Sequence, residues 1–170
     1  MKNSIKIAFC GVISAVITVI MAASIIPNLT FAVPAVAGLF IIPVFAEAGA
    51  IPAAFCFAVS SGLSFFIGDK TSWLLYLALF GWYPIIKPYV ERIKNKILKY
   101  LLKILIFNIA AAVCYFSQLL IIGAEIKSWL LVALWVLGNI VFLLYDIAVS
   151  RIATLYFARL HKTVYSILSK

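Results

Sequence analysis

The stretch KPYVERIKNKILKYLLK, residues 87–103, decides how this chain is arranged. It holds six of the fourteen lysine and arginine residues, and apolar segments lie on both sides of it. A basic loop between membrane segments stays in the cytosol, because positive charge resists translocation. Placing this loop in the cytosol therefore fixes the side on which every other loop of the chain must lie.

The composition favours a membrane protein over a soluble one. Hydrophobic residues make up 66% of the 170 residues and charged residues only 11%, whereas soluble domains carry about 25% charged residues. The formal net charge of +9 could suggest a nucleic-acid surface. However, the basic residues lie at the ends of apolar runs, so we interpret them as topology signals that also attract the headgroups of a lipid bilayer, and we expect no nucleic-acid partner.

The apolar runs predict an all-α integral membrane protein with about six transmembrane helices in a single domain. The predicted spans cover residues 7–26, 31–46, 51–67, 73–86, 101–122 and 129–149. The second and fourth are shorter than the roughly 17 to 25 residues of an ordinary span, and both contain proline. A broken or re-entrant helix therefore remains an alternative in those two segments.

The distribution of positive charge predicts the orientation. With residues 87–103 in the cytosol, twelve lysine and arginine residues lie on the cytosolic side and only Lys70 and Lys127 lie outside. This bias predicts that both termini are cytosolic, in a multi-pass protein of a bacterial plasma membrane. Val90, Ile93 and Ile97 recur at helical spacing within the basic loop, which predicts one interfacial helix that anchors to lipid or binds a partner.

The sequence favours neither an enzyme nor a metal centre. It contains no known catalytic motif, and its only histidine, His161, lies near the C-terminus. Cys10, Cys56 and Cys114 each lie inside an apolar run without the spacing of metal ligands or of a disulfide framework. We therefore expect no catalytic residues, no metal and no cofactor.

Polar and aromatic residues in the outer half of the predicted bundle are candidates for binding a small molecule. Aromatic rings with amides and one carboxylate suit a small planar or amphiphilic ligand. Two alternatives remain open, since tryptophan and tyrosine also form the ordinary interfacial belt and amides also link helices. The candidates are Asp69, Trp73, Tyr76, Gln118, Trp135 and Asn139.

Asp146 lies within the last apolar run, where a carboxylate requires a partner or a proton. Arg151 follows five residues later, which is a poor helical spacing for an ion pair. Lys87 and Lys103 lie at the ends of neighbouring spans on the same side. Asp146, Arg151 and Lys87 are therefore candidates either for a structural ion pair or for a role in coupling or gating.

The first predicted span carries small residues at helical spacing, Ala8, Gly11 and Ala15. Gly11 and Ala15 form a small-xxx-small pattern, which allows another helix to approach closely. This face could dock a partner protein or could pack within the bundle.

Taken together, these features resemble the substrate-binding S components of energy-coupling factor (ECF) transporters. The similarity lies in six spans within 170 residues, a GxxxA pattern at Gly11 and Ala15 where that family often has AxxxA, and a proline-rich second segment, LTFAVPAVAGL, residues 29–39. The resemblance implies that the protein captures a vitamin or similar small molecule outside the cell. It also implies docking through the first helix onto a transmembrane coupling subunit that two cytosolic ATPases drive.

A different class of function remains open beside this one. The protein could be a non-transporting membrane scaffold or assembly partner that uses the basic loop and the small-residue face.

Overall fold

The computed structural model describes residues 3–122, 128–161 and 164, and within these it contains helices and no strand. Three short helical turns of other types accompany the α-helices: a 3₁₀ turn at Ala23–Ile25 and π-helical turns at Tyr76–Phe80 and Tyr156–Leu160. The α-helices are α1 (Asn3–Ala22), α2 (Ala32–Leu39), α3 (Ile41–Ala48), α4 (Ala50–Ile67), α5 (Lys70–Leu75), α6 (Tyr83–Glu91), α7 (Lys96–Ile122) and α8 (Ser128–Leu155).

Four helical stretches are long and apolar enough to cross a membrane. The shortest has 18 residues, which at about 1.5 Å per residue approaches the thickness of the hydrocarbon core. This confirms the prediction of an all-helical chain with helices of membrane-spanning length. The four stretches are Ser4–Ile25, Ala50–Ile67, Lys96–Ser117 and Leu131–Leu160.

The second predicted segment, residues 31–46, is a broken helix. It is divided at Phe40 into α2 and α3, and Phe40 N–H donates to the Ala37 carbonyl in a tighter turn. Pro43 has no N–H to donate to the carbonyl of Leu39, so the regular helical ladder is interrupted here. After α3 the chain turns directly into α4 at Gly49, whose φ of +94° lies in the region that favours glycine.

The fourth predicted segment, residues 73–86, is longer and less regular than expected. It begins with α5, continues through the π-helical turn Tyr76–Phe80, and ends with α6 at Glu91. The single interfacial helix predicted across the basic loop is wrong, because the chain turns between Glu91 and Lys96. Asn95 begins α7 there, and its side-chain oxygen accepts the N–H of Ile97 at 3.0 Å.

The core consists of two clusters. The first lies among α1 to α4 and includes Ile17, Ala37 and Cys56. The second joins the π-helical turn and α6 to α7 and α8, where the Phe107 and Phe142 rings stack at 5.0 Å.

The outer surface of the described helices is apolar. Ile97, Phe66 and Leu120 are 74%, 83% and 85% exposed. An outer surface with this many exposed apolar side chains is suited to contact with lipid and is unusual for a soluble monomer.

Candidate functional site

The most highly charged interior region lies where α6, α7 and α8 meet, around the carboxylate of Asp146. This carboxylate accepts hydrogen bonds from the Tyr83 hydroxyl at 2.5 Å, from Lys103 Nζ at 2.8 Å and from Lys87 Nζ. The side chains of Lys87 and Lys103 are only 5% and 3% exposed. Because a buried charge is costly when unpaired, all three charged groups depend on one another.

The local helix geometry explains why these groups converge. Tyr83 and Lys87 are four residues apart on α6, so their side chains lie on the same face of the helix. Lys87 also donates to the main-chain carbonyl of Asp146, and the Ser150 hydroxyl donates to the same carbonyl at 3.2 Å. The end of α6 is therefore fixed to both the side chain and the backbone of α8.

Glu91, the last residue of α6, extends this charged region to a second carboxylate. It accepts from Lys103 and, at 3.0 Å, from Lys99, so Lys103 connects Glu91 with Asp146. Burial alone would raise the pKa of Glu91, but hydrogen bonds from Lys103 and Lys99 outweigh burial and hold its pKa below the usual value. We call Asp146, Lys87, Lys103, Glu91 and Lys99 the charge network.

The predicted set of Asp146, Lys87 and Arg151 is only partly brought together. Lys87 contacts Asp146 directly, whereas Arg151 is exposed and forms no ion pair within the described part of the chain. Tyr83 and Glu91 were missed by the sequence analysis. The spacing of Tyr83, Lys87 and Glu91 by four residues is the signal that could have placed them on one helical face.

Three of the predicted substrate-binding residues lie around α5, next to α4. The Trp73 ring N–H donates to the Ser61 carbonyl at 2.9 Å, and the fully buried Tyr76 hydroxyl lies 2.8 Å from the Ser60 hydroxyl. Asp69 is the N-cap of α5, since its carboxylate accepts the N–H of Ser72 at 3.0 Å. Each of these three side chains therefore already has a hydrogen-bond partner within the protein.

Trp135 and Asn139 lie elsewhere, between α7 and α8. The Trp135 ring N–H donates to Asn108 Oδ1 at 2.5 Å, and Asn108 Nδ2 donates to Asn139 Oδ1 at 3.3 Å. Asn108 was missed, although an amide in the middle of an apolar span is itself a signal of an interhelical contact. The side chain of Gln118 and the whole of Lys127 lie outside the described residues.

The five predicted residues with described side chains, all but Gln118, therefore lie in two separate places. A cavity of about 470 Å³ lies between the break at Phe40 and the end of α8, and one of about 300 Å³ lies between the π-helical turn near Ala78 and α7. Neither of these two cavities is lined by any of the five predicted residues whose side chains are described: Asp69, Trp73, Tyr76, Trp135 and Asn139.

The small-residue face of α1 points away from the bundle. Ala8, Gly11 and Ala15 are exposed, whereas Ser14 and Ile17 on the opposite face are buried. A methyl group added at Gly11 would meet no atom within 4 Å. The alternative that this face packs within the bundle therefore does not hold for the described chain.

A second buried carboxylate was also missed. Glu47, near the end of α3, has a side chain that is 0% exposed. One of its oxygens accepts from the Tyr156 hydroxyl at 2.7 Å and lies 2.8 Å from His161 Nδ1, while the other has no hydrogen-bond partner among the residues that the structure describes. Glu47 is the only charged residue between Lys6 and Asp69, and this isolation is the signal that could have identified it.

Comparison of the chain with models of known protein families finds no match, and comparisons with curated proteins and with solved structures find no significant match either.

Proposed function

We propose that the protein is a membrane-embedded subunit that captures a small molecule and works together with a partner membrane protein docked on α1. The observation that carries this proposal is the exposed face of Ala8, Gly11 and Ala15. Small residues let a second helix approach closely, and this face has no partner within the described chain. This arrangement matches the docking role implied by the resemblance to S components of ECF transporters.

The proposed orientation places both termini in the cytosol. The chain then crosses the membrane six times, with the broken helix α2–α3 as the second passage and α5–α6 as the fourth. The support is the excess of lysine and arginine near residues 87–103. In this orientation the charge network lies on the cytosolic side, close to where coupling proteins and ATPases would act.

The proposed ligand is a vitamin or another small molecule with ring and amide groups. Asn108, Trp135 and Asn139 support this class, since they place two amides and an aromatic ring together at a partly buried position. Their present hydrogen bonds to one another would be exchanged for bonds to a ligand.

Two tryptophan variants test the docking surface, Gly11→Trp and Ala15→Trp. Either ring would obstruct the close approach of a partner helix, so we expect at least a tenfold loss of the partner proteins recovered with the purified subunit. Gly62→Trp is the matched control, because Gly62 is also an exposed glycine on a long helix with no atom near an added methyl group. Equal recovery with all three variants would contradict docking on α1.

The alternative function is a non-transporting scaffold or assembly partner. It is favoured by the finding that neither of the two cavities described above is lined by Asp69, Trp73, Tyr76, Trp135 or Asn139. Mass spectrometry of small molecules extracted from the purified protein separates the two functions. A bound vitamin-like compound supports capture, whereas a stable complex that never contains a small molecule supports the scaffold.

A further inference from the structure

The larger cavity is an apolar groove between two irregular helical segments. One wall is the break between α2 and α3, and the other is the last turn of α8 with the π-helical turn that follows. Its volume of about 470 Å³ lies within the range of about 300–1,000 Å³ that is usual for small-molecule sites. Its lining residues are Leu39, Phe40, Ile42, Pro43, Ile152, Leu155, Tyr156, Arg159 and Leu160.

Arg159 is the one charged residue among the described residues that line the groove. It is exposed and forms no ion pair within the described ranges, and it lies next to the last residue of the stretch Leu131–Leu160. Its guanidinium therefore lies near a membrane boundary, while the remaining lining is almost entirely hydrocarbon. A planar guanidinium is well suited to bind phosphate oxygens in pairs.

The groove opens toward the outer surface of the bundle. Phe40, Leu155 and Leu160 on its rim are 36%, 56% and 53% exposed. In a bilayer these rim residues would face acyl chains, so a lipid chain could enter the groove sideways from the membrane.

The carboxylate near this groove is buried and is held by two neighbouring side chains. Glu47 is fully buried behind Tyr156, and the same oxygen contacts both the Tyr156 hydroxyl and the His161 ring. The contact to Glu47 also fixes the Tyr156 side chain, which forms part of the groove wall. Glu47 therefore stabilises the wall without presenting its charge at the rim.

We infer that this groove binds one anionic phospholipid, with an acyl chain along its apolar lining and the phosphate on Arg159. The net charge of +9 favours an anionic over a zwitterionic lipid. This inference requires that the chain lies in a membrane, and it does not depend on small-molecule capture or on docking at α1.

Native mass spectrometry of the delipidated protein with equal amounts of phosphatidylglycerol and phosphatidylcholine tests the inference. We expect the full chain to retain phosphatidylglycerol at least fivefold over phosphatidylcholine. Arg159→Gln should remove this preference, whereas Arg151→Gln, which changes an exposed arginine outside the groove, should keep it. Leu155→Trp narrows the groove and should lower retention of both lipids.

Several results would overturn the inference. One is that the full chain shows no preference for phosphatidylglycerol. Another is that the two arginine variants lose this preference equally, and a third is that Leu155→Trp retains both lipids as well as the unchanged chain does. Displacement of phosphatidylglycerol by excess inorganic phosphate would show that the site binds the free anion without need of the lipid chain. Thermal unfolding in detergent verifies that each variant is folded, and the arginine pair tests the headgroup even if Leu155→Trp is unstable.

Discussion

The two halves of this molecule differ in how their buried polar side chains are paired. In the half formed by α1 to α4, the polar groups buried between α1 and α4 are neutral, as where the Ser14 hydroxyl lies 3.2 Å from Cys56 Sγ. The buried carboxylate of that half, Glu47 on α3, contacts Tyr156 and His161, which follow α8. In the half formed by α6 to α8, Asp146 is buried between Lys87 and Lys103. Loss of a neutral contact costs little stability, whereas removal of Asp146 leaves Lys87 buried without its carboxylate partner.

This contrast suggests different roles for the two halves. The closely packed pair of α1 and α4, with neutral buried groups and an exposed small-residue face on α1, can act as a rigid surface for docking. A charged junction holds three helices through a few strong contacts, so a change in one charge can affect all three. The charge network is therefore the better candidate for transmitting a conformational change, and α1 the better candidate for a fixed interface.

The largest effect is expected from removing the carboxylate of Asp146. Asp146→Leu leaves Lys87 and Lys103 buried without that partner, and breaking such a buried pair costs about 3–5 kcal/mol. We expect this decrease in the free energy of unfolding, measured in mixed detergent micelles.

The control for this variant replaces all three charges. Asp146→Leu combined with Lys87→Met and Lys103→Met removes the unpaired charges along with the pair, and should recover most of the lost stability. If the single and the triple variant are equally unstable, shape rather than charge determines the packing of this junction.

An intermediate effect is expected at the neutral contact between α1 and α4. Ser14→Ala removes a buried hydroxyl that donates to Cys56 and leaves no charge behind, so the free energy of unfolding should fall by about 1 kcal/mol. Thermal unfolding of this variant beside Asp146→Leu measures the contrast directly. A loss from Ser14→Ala as large as that from Asp146→Leu would remove the distinction between the halves.

Hydropathy and proline placement predicted much of the fold. The four long apolar runs became helices of spanning length, and the prolines of the second segment marked the region where α2 and α3 separate. The basic stretch was expected to form one helix, but Asn95 begins α7 within it. A side chain that can both cap a helix and lie on a polar face gives an ambiguous signal.

The candidate site was less predictable, for a physical reason. A membrane helix is apolar on nearly all sides, so its periodicity does not reveal which face meets which neighbour. The need of Asp146 for a partner followed from its burial, and Lys87 was within reach. By contrast, the contact of Trp73 with Ser61 and that of Glu47 with Tyr156 depend on how separate helices are arranged.

The smallest effect concerns the edge of the charge network, at Glu91. Lys103 and Lys99 hold its pKa below the usual value of about 4.3, despite the opposing effect of burial. A carboxyl group with a lowered pKa in the folded state stabilises the protein above its unfolded pKa, and this contribution is lost as pH falls through the folded pKa.

The folded protein should therefore lose stability as the pH falls below about 4.3. Added salt should reduce this loss, because the Glu91 side chain is 39% exposed. Thermal unfolding across this pH range should show a shallower decline for Glu91→Gln than for the unchanged chain. Parallel declines would mean that Glu91 does not carry the acid sensitivity, and that the charge network ends at the buried lysines.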